Sequence, residues 1–153
     1  MNGPDISNWS MIVQLGAATI MMMLTTFIHG AGLFGISRTL GIERNLETQL
    51  CVDLVTTRGL FITVGLVLTI FVLHMVEISL YAALYYGVGA FSTLARAVYF
   101  SAITYGTIGY DNNDLPGRFQ LIAAIEGING IILLGWSTAF IVTTISRISR
   151  HGG

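Results

Sequence analysis

Apolar residues run in three long blocks along the chain, and polar residues collect between them. No Asp, Glu, Lys or Arg lies between Asp5 and Arg38, between Arg58 and Glu77, or between Glu126 and Arg147. Charge-free stretches of about 18 residues or more are long enough for a helix to cross a bilayer. The blocks predict spans over about Trp9–Ser37, Gly59–Tyr86 and Arg118–Ser146. Residues 1–8 read as a short polar lead-in containing Pro4. Residues 38–58 read as a polar connection carrying Arg38, Glu43, Arg44, Glu47, Asp53 and Arg58. Leu40, Leu46, Leu50 and Leu54 recur there near helical spacing, which fits a short amphipathic helix on the membrane surface.

Between the second and third blocks the pattern changes. Gly87 and Gly89 break the helix, and Ser92 is a fair N-cap. A helix over 92–104 follows, too short to cross a bilayer at about 1.5 Å per residue. It has to enter the membrane and stop, with its C-terminal dipole end favouring a cation. The next stretch, Thr104-Tyr105-Gly106-Thr107-Ile108-Gly109-Tyr110-Asp111-Asn112, is polar and carries two glycines. Irregular backbone at membrane depth persists only when buried in protein or lining a water-filled path. Carbonyls along such a path replace the hydration shell of a cation.

Composition narrows the class. The chain is 54% hydrophobic and 10% charged, against a usual ~45–50% and ~25% for soluble domains. The formal net charge of −1 gives no reason to expect nucleic acid as a partner. Cys51 is the one cysteine, so an intrachain disulfide and a zinc finger are both excluded. No cleavable signal peptide is expected, because the first apolar block is too long for a signal core. No cofactor is expected, and no constellation of residues suits covalent chemistry, so the chain does not read as an enzyme. Arg38, Arg44, Arg58, Arg147 and Arg150 fall on one side of the predicted spans, which places that side in the cytoplasm and the N-terminus outside.

Several ionisable residues fall within or beside the spans. His29 stands in the first, on the same stretch as a small-residue patch of Gly30, Ala31, Gly32 and Gly35 suited to close helix approach. His74 and Glu77 lie three apart, on one helical face. They read either as metal ligands or as a buried hydrogen-bonding pair. The second reading is preferred, because di-metal bundles need matching acids on other helices. Tyr81, Tyr85 and Tyr86 are expected to form an aromatic belt at the interface. Glu77, Arg96 and Glu126 all fall in the outer half of the membrane, where an isolated charge is costly. Arg96 is expected to pair with Glu77 or Glu126 and support the short helix. Gly127, Gly130 and Gly135 dot the third span, and Gly130 is read either as a gating hinge or as a packing notch.

The central stretch carries a resemblance. Thr104-x-x-Thr107-Ile108-Gly109-Tyr110 resembles the selectivity filter of the potassium-channel pore-loop superfamily, whose pattern reads Thr-Val-Gly-Tyr-Gly-Asp. Ala97-Val98-Tyr99-Phe100-Ser101 looks like the end of a pore helix. Arg118 through Glu126-Gly127 to Gly135-Trp136-Ser137-Thr138 looks like the inner helix of small bacterial members. Leu73-His74-x-x-Glu77-Ile78 is similar to the same group. The match covers about residues 90–149. Asp111 departs from it, standing where the family has its second filter glycine, with Asn112 in place of the family Asp. Gly106 departs as well.

The resemblance implies an all-α membrane protein with three transmembrane helices plus a re-entrant pore helix and filter loop per subunit. Residues 1–58 would form an N-terminal transmembrane helix and cytoplasmic connection, and 59–153 the pore domain of outer helix, pore helix, filter and inner helix. It implies a homotetramer in the bacterial cytoplasmic membrane, in contact with membrane lipid and passing potassium or other monovalent cations. Thr107, Ile108, Gly109 and Tyr110 would hold the ion through backbone carbonyls, with Asp111 tuning the outer mouth. Asp111, Asn112 and Asp114 supply hard oxygen ligands, which keeps a poorly selective or calcium-permeable channel open as an alternative. A non-conducting scaffold with a degenerate filter is another. A proton-coupled transporter on His29, His74 and Glu77 lacks the expected internal repeat.

Overall fold

The structure, a computed structural model, describes residues 11–39, 57–109, 115 and 117–149. Among these the regular structure is all helical: α1 (Met11–Thr39), α2 (Thr57–Gly87), α3 (Leu94–Tyr105) and α4 (Gln120–Ser149), with a 3-10 turn at Gly117–Phe119 leading into α4. Three of the helices are long and apolar enough to cross a membrane, over Met11–Thr39, Gly59–Gly87 and Gln120–Ser146. The predicted spans therefore stand, with ends shifted by a few residues. The predicted amphipathic segment at 40–54 lies outside the described residues.

The burial pattern is the reverse of that in a water-soluble protein. Phe27, Phe61, Phe71 and Val72 are exposed, whereas Thr25, His29, Glu77, Glu126 and Asn129 are fully buried. In water, such a distribution would leave a large contiguous apolar surface uncovered. In hydrocarbon it is the favourable one, because polar side chains find partners only inside the protein.

Two helices end in the same way. At the end of α2, Ala90 N–H donates to the Tyr85 carbonyl at 2.9 Å and Gly89 N–H to the Tyr86 carbonyl at 3.1 Å. This crossed pair is a Schellman motif, which requires a left-handed residue where Gly89 sits at φ +70°. The N-cap of α3 is Thr93, one residue after the predicted Ser92. Its extended backbone starts the helix at Leu94, and its hydroxyl accepts from Arg96 N–H.

The chain divides into two compact units. The first holds 1–27 and 76–132. Its core joins Tyr81, Ala82 and Tyr85 of α2, Ala97 and Phe100 of α3, and Phe119, Ile122 and Ala123 around the start of α4. Phe100 meets Tyr85 edge-on at 5.3 Å and lies 5.0 Å from Phe91, an aromatic set that fixes α3 against the end of α2. The second unit holds 28–75 and 133–153. Its core is Leu33, Ile36, Leu66 and Ile70, flanked by Leu73, Phe140 and Ile141. The small-residue patch is used there. Gly30 leaves room for the Trp136 ring, which a Cβ would meet at 3.2 Å. Gly32 leaves room for Leu73, whose methyls a Cβ would meet at 2.7 Å.

Candidate functional site

Helix α3 has 12 residues, about 18 Å of rise. Its packed face is Ala97, Phe100, Ser101, Thr104 and Tyr105. The first three recur at helical spacing and present one stripe. Two polar residues on this face reach buried carboxyl groups. Ser101 Oγ lies 2.5 Å from Glu126 Oε1 on α4, and also 3.0 Å from the Ile78 carbonyl of α2. Tyr105 OH donates to Glu77 Oε2 at 2.5 Å. Tyr85 OH donates to the other oxygen of Glu126 at 2.7 Å. A buried hydrogen bond of this kind contributes about 0.5–1.5 kcal/mol net, and removing one partner costs about 1–3 kcal/mol. Burial first, and then the bond to Glu77, raises the Tyr105 phenol above its ordinary value, so it stays protonated and keeps its donor role. Asn129 Nδ2 adds contacts to Thr25 Oγ1 at 2.8 Å and Tyr81 OH at 3.3 Å.

Backbone contact completes the dock. A Cβ on Gly130 would overlap the Tyr105 carbonyl oxygen and lie 2.9 Å from its carbonyl carbon. A Cβ on Gly127 would meet the Thr104 carbonyl oxygen at 3.4 Å. Helix α4 runs without interruption through both positions. Of the two roles read for Gly130, the packing notch is the one with an observed contact.

The chain leaving α3 carries a second Schellman motif. Ile108 N–H donates to the Ile103 carbonyl at 2.9 Å and Thr107 N–H to the Thr104 carbonyl at 3.0 Å. The left-handed position here falls on Thr107, at φ +55°, while the neighbouring Gly106 keeps φ −75°. A β-branched residue in that region is an outlier, costing roughly 1–2 kcal/mol. Gly109 follows at φ +102°. Residues 106–109 are exposed, Ile108 at 78%. Thr107, Ile108 and Gly109 thus form an exposed turn tied back to the end of the helix. Tyr110, Asp111, Asn112 and Asp114 lie outside the described residues.

Of the support residues, Glu77 and Glu126 are fully buried and Arg96 is exposed on the first turn of α3. The Tyr105 hydroxyl lies on Glu77, and the Ser101 and Tyr85 hydroxyls lie on Glu126. The expected aromatic belt is corrected. Tyr81 and Tyr85 are fully buried, and Tyr86 alone of the three faces outward, at 50% exposure. Tyr85 OH donates to Glu126 and Tyr81 OH accepts from Asn129 Nδ2, buried partners that an interfacial position would not require. The sequence reading missed Tyr85, Ser101, Tyr105 and Asn129. A signal existed, since Glu77, Tyr81 and Tyr85 recur every four residues and Glu126 and Asn129 are three apart, each set on one helical face.

In the second unit His29 and His74 come together on Ser137, with rings 5.2 Å apart. No family model, curated protein or solved structure matches the chain.

Proposed function

We propose that the chain is one subunit of a passive cation channel, with Thr107, Ile108, Gly109 and Tyr110 lining the path through their carbonyls. The observation that carries this reading is the left-handed Thr107 at the end of a docked helix too short to span. The same capping motif at the end of α2 uses glycine. A strained non-glycine residue persists where the surroundings over-determine it, and such positions cluster at functional sites.

One chain supplies one strand of such a path, so a closed ring needs several copies about one axis. A homotetramer in a bacterial cytoplasmic membrane, N-terminus outside, is the assembly in keeping with the filter resemblance. Helix α3 then re-enters the membrane as a pore helix, and Glu77, Glu126 and Gly130 hold it. Potassium is the proposed ion, with Asp111 lowering the preference for it. Purified protein in a planar bilayer under a potassium–sodium gradient tests the reading. The expected outcome is unitary currents reversing toward the potassium potential. A folded oligomer that never conducts refutes it and favours the scaffold. Reversal set by calcium favours the divalent-permeable alternative.

A further inference from the structure

The seat of α3 is one hydrogen short if Glu126 is ionised. Glu126 of α4 and Ser101 of α3 are both fully buried. Ser101 Oγ lies 2.5 Å from Glu126 Oε1 and 3.0 Å from the Ile78 carbonyl oxygen on α2. A carboxylate and a carbonyl both accept, and a serine hydroxyl has one proton to donate. Whichever oxygen it serves, the other faces Oγ lone pair to lone pair at hydrogen-bond distance. The Tyr85 hydroxyl does not fill the gap, because it lies on the other carboxyl oxygen, Oε2, at 2.7 Å. A proton on Glu126 Oε1 completes the set with no atom moved. Glu126 then donates to Ser101, Ser101 donates to the Ile78 carbonyl, and Tyr85 donates to Oε2. The 2.5 Å contact suits an O–H···O bond in either direction, so the Ile78 carbonyl is what sets the direction.

All four groups belong to the first unit. The titratable groups that face Glu126 there are Tyr81, Tyr85 and Glu77 of α2 and Tyr105 of α3. Three are phenols and the fourth is a second acid, so none brings a positive charge. From α1, Thr25 joins only through Asn129 and does not titrate. Among the described residues no cationic side chain is bonded to the Glu126 carboxyl. A carboxyl buried without a cation takes up a proton rather than bear the cost of the charge. We infer that Glu126 is a proton-binding site, a neutral carboxylic acid whose hydrogen ties α4 through Ser101 of α3 to α2. A proton held by the folded chain and released by the unfolded one makes the dock weaken as pH rises. Helix α3 carries residues 106–109 at its end, so loss of the proton loosens the seat of that turn.

Infrared spectroscopy of the full-length protein in lipid nanodiscs tests the assignment. At neutral pH, wild type minus Glu126→Gln should show the carbonyl stretch of a protonated carboxylic acid. A lost carboxylate band in its place overturns the inference. Glutamine offers an N–H to Ser101 and a carbonyl to Tyr85, so Glu126→Gln imitates the protonated acid and should melt no lower than the wild type. A melting point well below it indicates an ionised Glu126 and overturns the inference independently. Ser101→Ala removes the acceptor of the proton and should shift the acid band while leaving it present; an unmoved band overturns the direction of the bond. On alkaline titration the wild type should lose the acid band and the near-UV circular dichroism of the dock in one step that Glu126→Gln lacks. Identical titrations of the two proteins overturn the link to the dock. None of these readouts depends on conduction.

Discussion

Replacing Gly130 with alanine tests the dock of α3 on α4 directly. The added methyl would overlap the Tyr105 carbonyl oxygen and lie 3.1 Å from the Tyr105 Cα. These are backbone atoms, so no rotamer change relieves the clash, and the end of α3 has to move. Overpacking of this kind costs about 1–3 kcal/mol. Alanine in place of a helical glycine returns up to about 1 kcal/mol. The net expectation is a loss of roughly 1–2 kcal/mol, or about 2–8 °C at the ~2–4 °C per kcal/mol typical of this chain length. Gly65 is the control, since a Cβ there meets nothing within 4 Å. Gly65→Ala should therefore hold or raise the melting temperature. The assay is thermal unfolding of the purified protein in detergent, followed by near-UV circular dichroism. If Gly130→Ala melts at or above the wild type while Gly65→Ala behaves as stated, the close approach of Tyr105 to α4 is wrong. A hinge role would be the better account of Gly130 in that case.

Other perturbations follow from the same geometry. Tyr105→Phe leaves the buried Glu77 without a phenol donor and should cost about 1–3 kcal/mol; recovery of part of that loss in Tyr105→Phe with Glu77→Leu, by thermal melting, checks the pair. Arg96→Ala tests the expected pairing with Glu77 or Glu126 at an exposed position: a loss under about 1 kcal/mol fits a surface contact, and a loss above about 3 kcal/mol fits a buried pair. Thr104 Oγ1 is buried with no hydrogen-bond partner among the described residues, so Thr104→Val should leave the melting point unchanged or higher. Thr107→Gly relieves the left-handed strain and should raise stability while lowering potassium-over-sodium preference in bilayer recordings. Asp111→Gly should raise that preference and weaken block by external divalents; unchanged reversal potentials would remove Asp111 from selectivity.

The long helices are legible in the sequence because membrane insertion depends on length and charge gaps, and both are one-dimensional. The short helix is legible for the same reason, through the two glycines before it and the irregular stretch after it. The hydroxyl partners of the buried acids are not. Glu77 and Glu126 read as charges in need of a cation, and Arg96 is the nearest by depth. Depth says nothing about direction around the helix axis. Ser101 and Tyr105 share the packed face of α3 and reach the carboxyls, while Arg96, one turn in, is exposed. Tyr81 and Tyr85 fail as interface anchors for a related reason, since an aromatic ring with a hydroxyl suits a headgroup layer or a buried acceptor equally well. Only the four-residue recurrence with Glu77 separates the two. Gly130 is ambiguous in sequence, because a helical glycine permits both bending and close approach.

Among the described residues, the bonds that cap the C-terminal end of α3 run between residues 102 and 109. The groups that receive the helix are Glu77 on α2 and Glu126, Gly127 and Gly130 on α4. During synthesis the cap can therefore close as soon as its own few residues are free. Its seat is incomplete until the final helix has been made and inserted. A chain cut short before α4 would keep the loop's local shape and the contacts of α3 with α2, and would lack those to Glu126, Gly127 and Gly130. Quality control at the membrane would meet a Tyr85 hydroxyl deprived of its Glu126 acceptor, a chemical mark that the finished protein conceals.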